Sequence, residues 1–171
     1  MDWDSFSVLP GFAINLGLTA VISQCVGAND YEQAKYYNKK ILLIVFLSHL
    51  IINMVIFALL PSILDIYGLS SQTAAMASEM IIWHGIFAII IWPLAFTIPA
   101  TFRGAGDSKS VMYISLGVMF TCRIALSYVI ADWMGVGVFG TWIAMFIDWY
   151  VRAAIYIYRY FSGKWMEYRA I

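Results

Sequence analysis

Long apolar runs separated by short polar stretches dominate the chain. Each run is close to the roughly 20 residues that a helix needs to cross the hydrocarbon core of a bilayer. The runs lack the alternation of apolar and polar residues that is typical of barrel strands, and they are apolar all round rather than along one stripe. The pattern predicts an all-α membrane protein with five transmembrane helices, at residues 8–27, 41–64, 78–100, 111–130 and 138–158.

Two of the predicted helices contain residues that disturb regular helix geometry. The first includes Pro10 and the polar residues Asn15 and Gln24. The third contains Pro93 and Pro99, each of which removes a backbone hydrogen-bond donor, so we expect this helix to be kinked. A kink serves either as a hinge or as a fit around neighbouring helices, and the sequence leaves both open.

Among the links between the predicted helices, only alternate ones contain basic residues. The links after the first and third helices and the segment after the fifth contain Lys or Arg, whereas the links at 61–77 and 131–137 contain neither. Because Lys and Arg accumulate in cytoplasmic loops, this alternation predicts an N-terminus outside and a C-terminus inside, with residues 159–171 as a cytoplasmic tail. The basic residues that carry the pattern are Lys35, Lys39, Lys40, Arg103, Lys109, Arg159, Lys164 and Arg169.

Composition agrees with a protein that meets lipid. Hydrophobic residues make up 63% of the 171 residues and charged residues only 12%, which is too little charge to cover the surface of a soluble domain. The formal net charge of +0 gives no reason to expect a nucleic-acid partner. We therefore expect the lipid bilayer as a partner and no nucleic acid.

No pattern in the sequence indicates catalysis or a bound metal. The two cysteines, Cys25 and Cys122, fall in apolar stretches toward opposite membrane faces, and no histidine lies at ligand spacing from either. We expect two free thiols, no metal site, no organic cofactor and no enzymatic activity.

Three charged residues lie inside predicted helices, where an ionisable side chain is costly in lipid. Asp148 and Arg152 are four residues apart and share one helix face, so we expect an ion pair. Arg123 lies ~12 Å below the outer end of the neighbouring helix, against ~16 Å for Asp148, and we expect it to reach that carboxylate. The trio either pins two helices together or lines a cavity and responds to ions or a bound molecule, and the sequence leaves both open.

Other polar residues in the helices are candidates for contact with a solute. Asn15 and Gln24 are candidates for facing an internal cavity. His84, near the outer start of the third helix, is a candidate for following a proton gradient, although a hydrogen-bonded surface position is the commoner role for such a histidine. His49 and Asn53 are four residues apart, so we expect them to bond to one another or across helices.

Two links between predicted helices have a similar sequence, with residues suited to ending one helix and starting the next. Residues 24–30 and 102–109 each place small residues before an Asp. Glycine at a helix C-terminus supplies a left-handed cap, and Asp or Ser caps the helix that follows. We therefore expect two tight capping turns. Their small and capping residues are Gly27, Ala28, Asp30, Gly104, Gly106, Asp107 and Ser108.

Three segments of the chain resemble, in the same order, parts of one family of membrane transporters. Residues 11–34 resemble the second helix of that family's repeat and the cytoplasmic link after it, and residues 140–165 resemble the last helix and tail. The segment between them carries an Arg-Gly-Ala-Gly-Asp motif, and it reads Phe102-Arg103-Gly104-Ala105-Gly106-Asp107. Over residues 8–166 the chain thus resembles members of the multidrug and toxic compound extrusion (MATE) family.

The resemblance implies two six-helix lobes packed around a central cavity in the plasma (inner) membrane. Such proteins exchange Na⁺ or H⁺ for organic compounds, often cationic drugs, by rocking between inward-open and outward-open states. The five predicted helices would be the last five of the second lobe, so the expected partner is an N-terminal lobe that this chain lacks. The family motif residues are Gly27, Ala28, Arg103, Gly104, Gly106 and Asp107.

Two other interpretations remain open at this point. One is a flippase-like transporter of the same superfamily, although a large anionic headgroup would favour more basic residues than Arg123 and Arg152 supply. The other is a truncated, non-transporting remnant that needs a separately encoded partner lobe.

Overall fold

The structure of the chain, a computed structural model, describes residues 3–130 and 138–167. The described residues form helices and turns without a β-strand, which confirms the all-α prediction. The predicted link at 131–137 lies outside the described residues. The α-helices are α1 Trp3–Gly27, α2 Tyr31–Tyr67, α3 Ser71–Ile90, α4 Ile98–Gly104, α5 Ser108–Val118, α6 Leu126–Tyr128 and α7 Val138–Phe161. Two π-helical turns, π1 Pro93–Thr97 and π2 Met119–Ala125, and a 3₁₀ turn at Lys164–Met166 lie between or after them.

The second helix, α2, is longer than its apolar run. It begins after Asp30, whose side chain accepts a hydrogen bond from the Gln33 backbone N–H at 2.9 Å. It passes through Pro61 and ends at Tyr67, and the residue that follows, Gly68, has a left-handed φ of 58°. The predicted start at residue 41 was late because the first turns of α2 are polar and apolar periodicity does not detect them. Three basic residues that the sequence placed in a link therefore lie on α2: Lys35, Lys39 and Lys40.

The third predicted helix is divided, as its prolines indicated. α3 starts after Ser70, whose hydroxyl accepts a hydrogen bond from the Thr73 backbone N–H at 3.3 Å. π1 begins at Pro93, and Pro99 lies in the first turn of α4. A wider π-helical turn accommodates a proline, which in a regular α-helix leaves a backbone carbonyl without its N–H donor and clashes with the preceding turn. The predicted disturbance is confirmed, and it takes the form of a π-helical turn.

The fourth predicted helix is also divided, which the sequence did not indicate. It runs as α5, π2 and α6. In π2 the Thr121 hydroxyl donates to the backbone O of Gly117 at 2.8 Å. A hydroxyl that bonds to the preceding turn favours helix bending, and this bond lies at π2, although α1 keeps α-helical geometry with two such bonds.

Four helical segments are long and apolar enough to cross a bilayer: Val8–Gly27, Tyr31–Tyr67, Ser71–Ile90 and Ser108–Tyr128. The fifth predicted segment is the 24-residue helix α7, which is not among these four in the described part of the chain. The chain is a multi-pass membrane protein, and its fifth span stays a prediction. Large apolar side chains of α2 stand exposed, as contact with lipid requires, among them Leu43, Leu47, Ile51, Met54, Leu59 and Ile66.

Two clusters of buried side chains hold the helices together. The first joins α1, α4 and α7 through Ile22, Phe102 and Tyr156. The second surrounds π1 and includes Trp92 and Trp149. α1 packs along both α2 and α4, and α7 packs against π1 and π2. This arrangement places α1, π1 and α7 around one region of the bundle.

The predicted cytoplasmic tail is partly packed against the bundle. Trp165, which follows α7, is 0% exposed. Its indole N–H donates to the Tyr160 backbone O at 3.2 Å, and its ring lies 6.3 Å from that of Tyr31 between centroids. The residues just after α7 therefore belong to the folded unit.

Candidate functional site

Three small polar side chains of α1 donate hydrogen bonds to backbone carbonyls of π1 and α4. Donors and acceptors are each spaced by four residues, so each set falls on one face of its helix. The pairs, donor first, are Asn15 Nδ2 to Phe96 O at 3.2 Å, Thr19 Oγ1 to Ala100 O at 3.3 Å, and Ser23 Oγ to Gly104 O at 3.0 Å. Each hydroxyl shares its single proton with an acceptor in α1 as well, Asn15 O at 2.9 Å for Thr19 and Thr19 O at 3.0 Å for Ser23. We call these three donor side chains the polar ladder. Hydrogen bonds of this kind join helices where lipid supplies no partner.

Gly104 allows α1 and α4 to come close at one end of the polar ladder. A Cβ at this position would lie 2.7 Å from the Thr19 backbone O and 2.8 Å from the Ile22 Cβ. The left-handed cap expected in this link is at Gly106, with φ 91°. The motif glycines therefore have different roles: Gly104 permits close packing and Gly106 permits the turn.

A cavity of about 400 Å³ lies beside the polar ladder, between α1, π1, α4, α5 and α7. Asn15 is 5% exposed, and its Oδ1 has no hydrogen-bond partner in the described structure. Arg152 is 9% exposed, and its Nε likewise has none there. Ser115 and Arg103 complete the polar lining, while Phe12, Leu16 and Pro99 contribute apolar surface. Both of these atoms are themselves buried, so the surface of the cavity is formed mainly by apolar atoms.

The predicted ion pair between Asp148 and Arg152 is present. Arg152 Nη2 donates to both carboxylate oxygens of Asp148, at 3.0 and 3.2 Å, and Asp148 is 0% exposed. The Arg152 guanidinium also lies over the Phe96 ring, 5.4 Å from its centroid. A carboxylate bonded in this way is already neutralised, so it is poorly suited to hold a further cation.

Arg123 does not join this pair. Its side chain is exposed in π2, and it forms no ion pair with Asp148 within the described ranges. The prediction was wrong because the depth count assumed a regular α-helix, whereas the wider turn of π2 changes which side chains face α7.

Asp107 is bound by a residue that the sequence placed in the tail. Its carboxylate Oδ2 accepts hydrogen bonds from Arg159 Nε at 3.0 Å and from Arg159 Nη2. The same guanidinium donates to Ser110 Oγ at 2.9 Å. The predicted capping role of Asp107 was wrong, since its side chain makes no cap hydrogen bond. The Asp107 carboxylate bonds to the charged guanidinium of Arg159 instead of a backbone N–H of α5, because a charged donor makes the stronger hydrogen bond.

His84 is buried instead of lying at the surface. It is 6% exposed, and its ring packs edge-on against Trp142 at 5.5 Å and Trp149 at 5.4 Å between centroids. The expected surface position was wrong because packing of α3 against α7 encloses the ring in aromatic side chains. A part for His84 in following a proton gradient stays a prediction.

The expected contact between His49 and Asn53 is made through the backbone. Asn53 Nδ2 donates to the His49 backbone O at 2.8 Å. The His49 ring stacks on Trp92 with centroids 4.6 Å apart, and its Nδ1 is 2.9 Å from the Val45 backbone O. Both residues are buried in the packing of α2 against the third helix.

The first motif link lies away from the cavity. Gln24, Gly27 and Ala28 are exposed near the end of α1, and none of them lines the cavity beside the polar ladder. The left-handed residue of this link is Asn29, with φ 58°, so the cap expected from Gly27 is supplied two residues later. Asp30 caps α2 as predicted.

A second polar network ties α2, α4 and α7 together near the same end of the bundle. Thr101 Oγ1 donates to Asn38 Oδ1 at 2.6 Å, and Asn38 also hydrogen-bonds to Tyr160. Burial raises the pKa of the Tyr160 phenol, and the bond with Asn38 opposes that rise. The phenol is therefore a neutral partner at physiological pH.

Several of the residues that form these contacts were not predicted from the sequence. Thr19 and Ser23 continue the spacing of Asn15 at i+4 and i+8, and that spacing within an apolar helix was a usable signal. Arg159 was counted only as a marker of the cytoplasmic side. Nothing in the linear sequence indicates its pairing with Asp107, which is 52 residues away.

The fold and the site define a polytopic α-helical membrane protein with a mainly apolar cavity between its helices, into which a few polar residues and two arginines are built. A model of the MatE family matches residues 1–129. Because the match covers most of the chain, the chain belongs to this family.

Proteins from bacteria are similar over nearly all of the chain. A "Probable multidrug resistance protein NorM" of Thermotoga maritima is 23% identical over 98% of this chain and 36% of its own length. A protein of the same name from Halalkalibacterium halodurans is 23% identical over 85% of this chain and 31% of its own. An "Uncharacterized transporter YisQ" of Bacillus subtilis is 26% identical over 95% and 35%. The chain thus spans about a third of these relatives, and no solved structure matches it.

Proposed function

We propose that the chain is the C-terminal part of a secondary active transporter that exports organic compounds in exchange for Na⁺ or H⁺. The observation that carries this proposal is the cavity beside π1, whose mainly apolar lining includes Asn15 and two arginines. Secondary transporters commonly bind substrate and coupling ions near the bilayer midplane, where helices are interrupted. The third predicted helix is interrupted at π1, and Asn15 of α1 donates a hydrogen bond to the backbone O of Phe96 in π1. The names of two relatives as multidrug resistance proteins support organic drugs as the substrate class.

The proposed transporter includes further helices beyond this chain. The relatives are about three times as long as the matched region, which supports an N-terminal lobe as the partner. We place the chain in the plasma membrane with its N-terminus outside and its C-terminus in the cytoplasm, as the distribution of Lys and Arg favours.

The coupling ion is proposed to bind away from Asp148. That carboxylate is fully buried and bonded to Arg152, and the cavity beside it carries arginines. A cation therefore meets net positive charge on this face, which favours a coupling site in the proposed N-terminal lobe.

The proposal is tested by dye efflux in cells that lack their own drug pumps. The chain is expressed alone and as one polypeptide with the N-terminal part of the Thermotoga maritima relative. We expect efflux of a net-neutral fluorescent drug from the joined protein under an inward Na⁺ or H⁺ gradient, because a cationic dye would meet the positive charge of the two arginines in the cavity. Asn15→Leu should slow efflux, whereas Thr121→Val, which removes a hydroxyl bonded only within its own helix, should not. Normal membrane expression without any efflux would refute the proposal.

A further inference from the structure

A cleft of about 390 Å³ lies between α3 and α7. Among the described residues, none lines both this cleft and the cavity beside the polar ladder, so the two are separate features. Aromatic rings form much of the wall of the cleft. These rings belong to Trp83 and Phe87 of α3 and to Trp142, Phe146 and Tyr150 of α7. We call this feature the aromatic cleft.

The aromatic cleft is open along one side. Phe87 packs against Phe146 and Tyr150, with ring centroids 4.3 and 6.0 Å apart, and these contacts join the two helices. Trp83 and Tyr150 nevertheless remain 51% and 49% exposed. In the bilayer this exposed side meets lipid. Because water finds few hydrogen-bond partners in an apolar opening, an acyl chain fills the cleft at a lower cost than water does.

The aromatic cleft runs along the two helices. Its lining extends from Glu79 to Phe87 on α3 and from Trp142 to Tyr150 on α7. Both steps, 79 to 87 and 142 to 150, advance ~12 Å at a rise of ~1.5 Å per residue. In the topology that the basic residues favour, both helices run inward from the outer surface. The cleft therefore lies along the membrane normal, the direction of an acyl chain, with Glu79 and Trp142 at its outer end.

Charge distinguishes the headgroup that the outer end accepts. Among the described residues of the lining, Glu79 carries a charge and there is no Lys or Arg. Glu79 is exposed, and it forms no ion pair within the described ranges. A carboxylate attracts an ammonium group, and so do tryptophan rings such as those of Trp83 and Trp142, since tryptophan is the strongest aromatic partner of a cation. An anionic headgroup would meet like charge at this end.

We propose that the aromatic cleft binds a phospholipid with an ammonium headgroup, of the ethanolamine or choline type. One acyl chain lies along the cleft against Phe87 and Phe146, and the ammonium group lies beside Glu79, at the level of the two tryptophans. The proposal depends on the membrane placement of α3 and α7. It does not depend on the transport activity proposed above, which uses a different cavity.

Native mass spectrometry of the purified 171-residue chain, incubated with defined lipids, tests the site. The lipids are phosphatidylethanolamine, phosphatidylcholine and phosphatidylglycerol with the same acyl chains. Lipids also bind elsewhere on the chain, so each variant is compared with the unsubstituted chain. Glu79→Gln should lower retention of both ammonium lipids about threefold, the scale of one exposed ion pair, without lowering retention of phosphatidylglycerol.

Two further variants and a soluble probe locate the effect. Asp65→Asn removes an exposed carboxylate at the outer end of α2 that does not line the cleft, and it should leave retention unchanged. Ile147→Trp places a larger side chain in the cleft and should lower retention of all three lipids. Tetramethylammonium, which has the charge without an acyl chain, should not displace bound phosphatidylcholine at equal concentration.

Three results would overturn the proposal. The first is an equal change in phosphatidylcholine retention for Glu79→Gln and Asp65→Asn, because the charge of the cleft would then select nothing. The second is full lipid retention in Ile147→Trp, which would place the lipid outside the cleft. The third is displacement of the lipid by tetramethylammonium, which would show that the acyl chain adds no binding.

Discussion

Arg159 at the end of α7 donates two hydrogen bonds to the buried carboxylate of Asp107, in the link between α4 and α5. The pair joins segments that are 52 residues apart. It therefore fixes the last helix against the family motif, at the end of the bundle that the basic residues assign to the cytoplasm.

Asp107→Asn should destabilise the chain by about 3 kcal/mol, because it removes a fully buried carboxylate charge from a hydrogen-bonded ion pair with Arg159. The measurement is the midpoint of thermal unfolding in lipid nanodiscs. Lys35→Gln breaks an exposed ion pair with Glu32 and serves as the control, with no measurable shift expected. Equal midpoints for the two variants would show that the Asp107 pair does not hold the link.

Asp148→Asn should impair folding more than ion coupling. The substitution leaves Arg152 buried without a charge partner, at a cost of about 3–5 kcal/mol. We expect lower membrane abundance and a lower unfolding midpoint. The double variant Asp148→Leu, Arg152→Met should recover much of the loss, since no unpaired charge remains. Normal abundance of Asp148→Asn with selectively lost coupling would argue for a functional site instead.

Gly104→Ala should separate α1 from α4. The added Cβ would lie 2.7 Å from a backbone oxygen of Thr19, which cannot move independently of its helix. We expect a loss of about 1–3 kcal/mol, typical of overpacking. Gly117→Ala is the matched control, because its Cβ would meet no atom within 4 Å. A similar change in unfolding midpoint for both variants would rule out close packing as the role of Gly104.

Thr19→Val should weaken the polar ladder without changing the size of the side chain much. It removes the hydroxyl whose single proton is shared between Ala100 O and Asn15 O of its own helix, and interhelical hydrogen bonds in membranes contribute about 0.6 kcal/mol on average. Unfolding in nanodiscs measures the loss. Thr121→Val removes a hydroxyl whose carbonyl acceptors lie in its own helix and should cost less.

The helical class could be predicted from the sequence because it depends on long apolar runs, a local property. The prolines of the third helix likewise predicted a disturbance that π1 confirms. π2 was missed because no proline marks it, and the threonine hydroxyl bond found there also occurs in the regular helix α1. The start of α2 was placed late since its first turns are polar, although the cap at Asp30 was recognised.

The site was predicted only in part, because most of its contacts join distant segments. The pair of Asp148 and Arg152 followed from i,i+4 spacing on one helix. Arg123 was misplaced because its expected contact assumed regular geometry across two helices. The burial of His84 between two tryptophans depends on how α3 packs against α7, and spacing along one helix carries no information about that.

The central claim is that these helices cross a bilayer with the lysine-rich start of α2 inside and the end of α2 outside. The direct measurement is labelling of single cysteines by a membrane-impermeant maleimide in intact cells, in a background with Cys25 and Cys122 replaced by alanine. We predict that Asp65→Cys is labelled from outside and that Lys35→Cys is labelled only after the membrane is permeabilised. Labelling of Lys35→Cys in intact cells, with Asp65→Cys protected, would contradict the account.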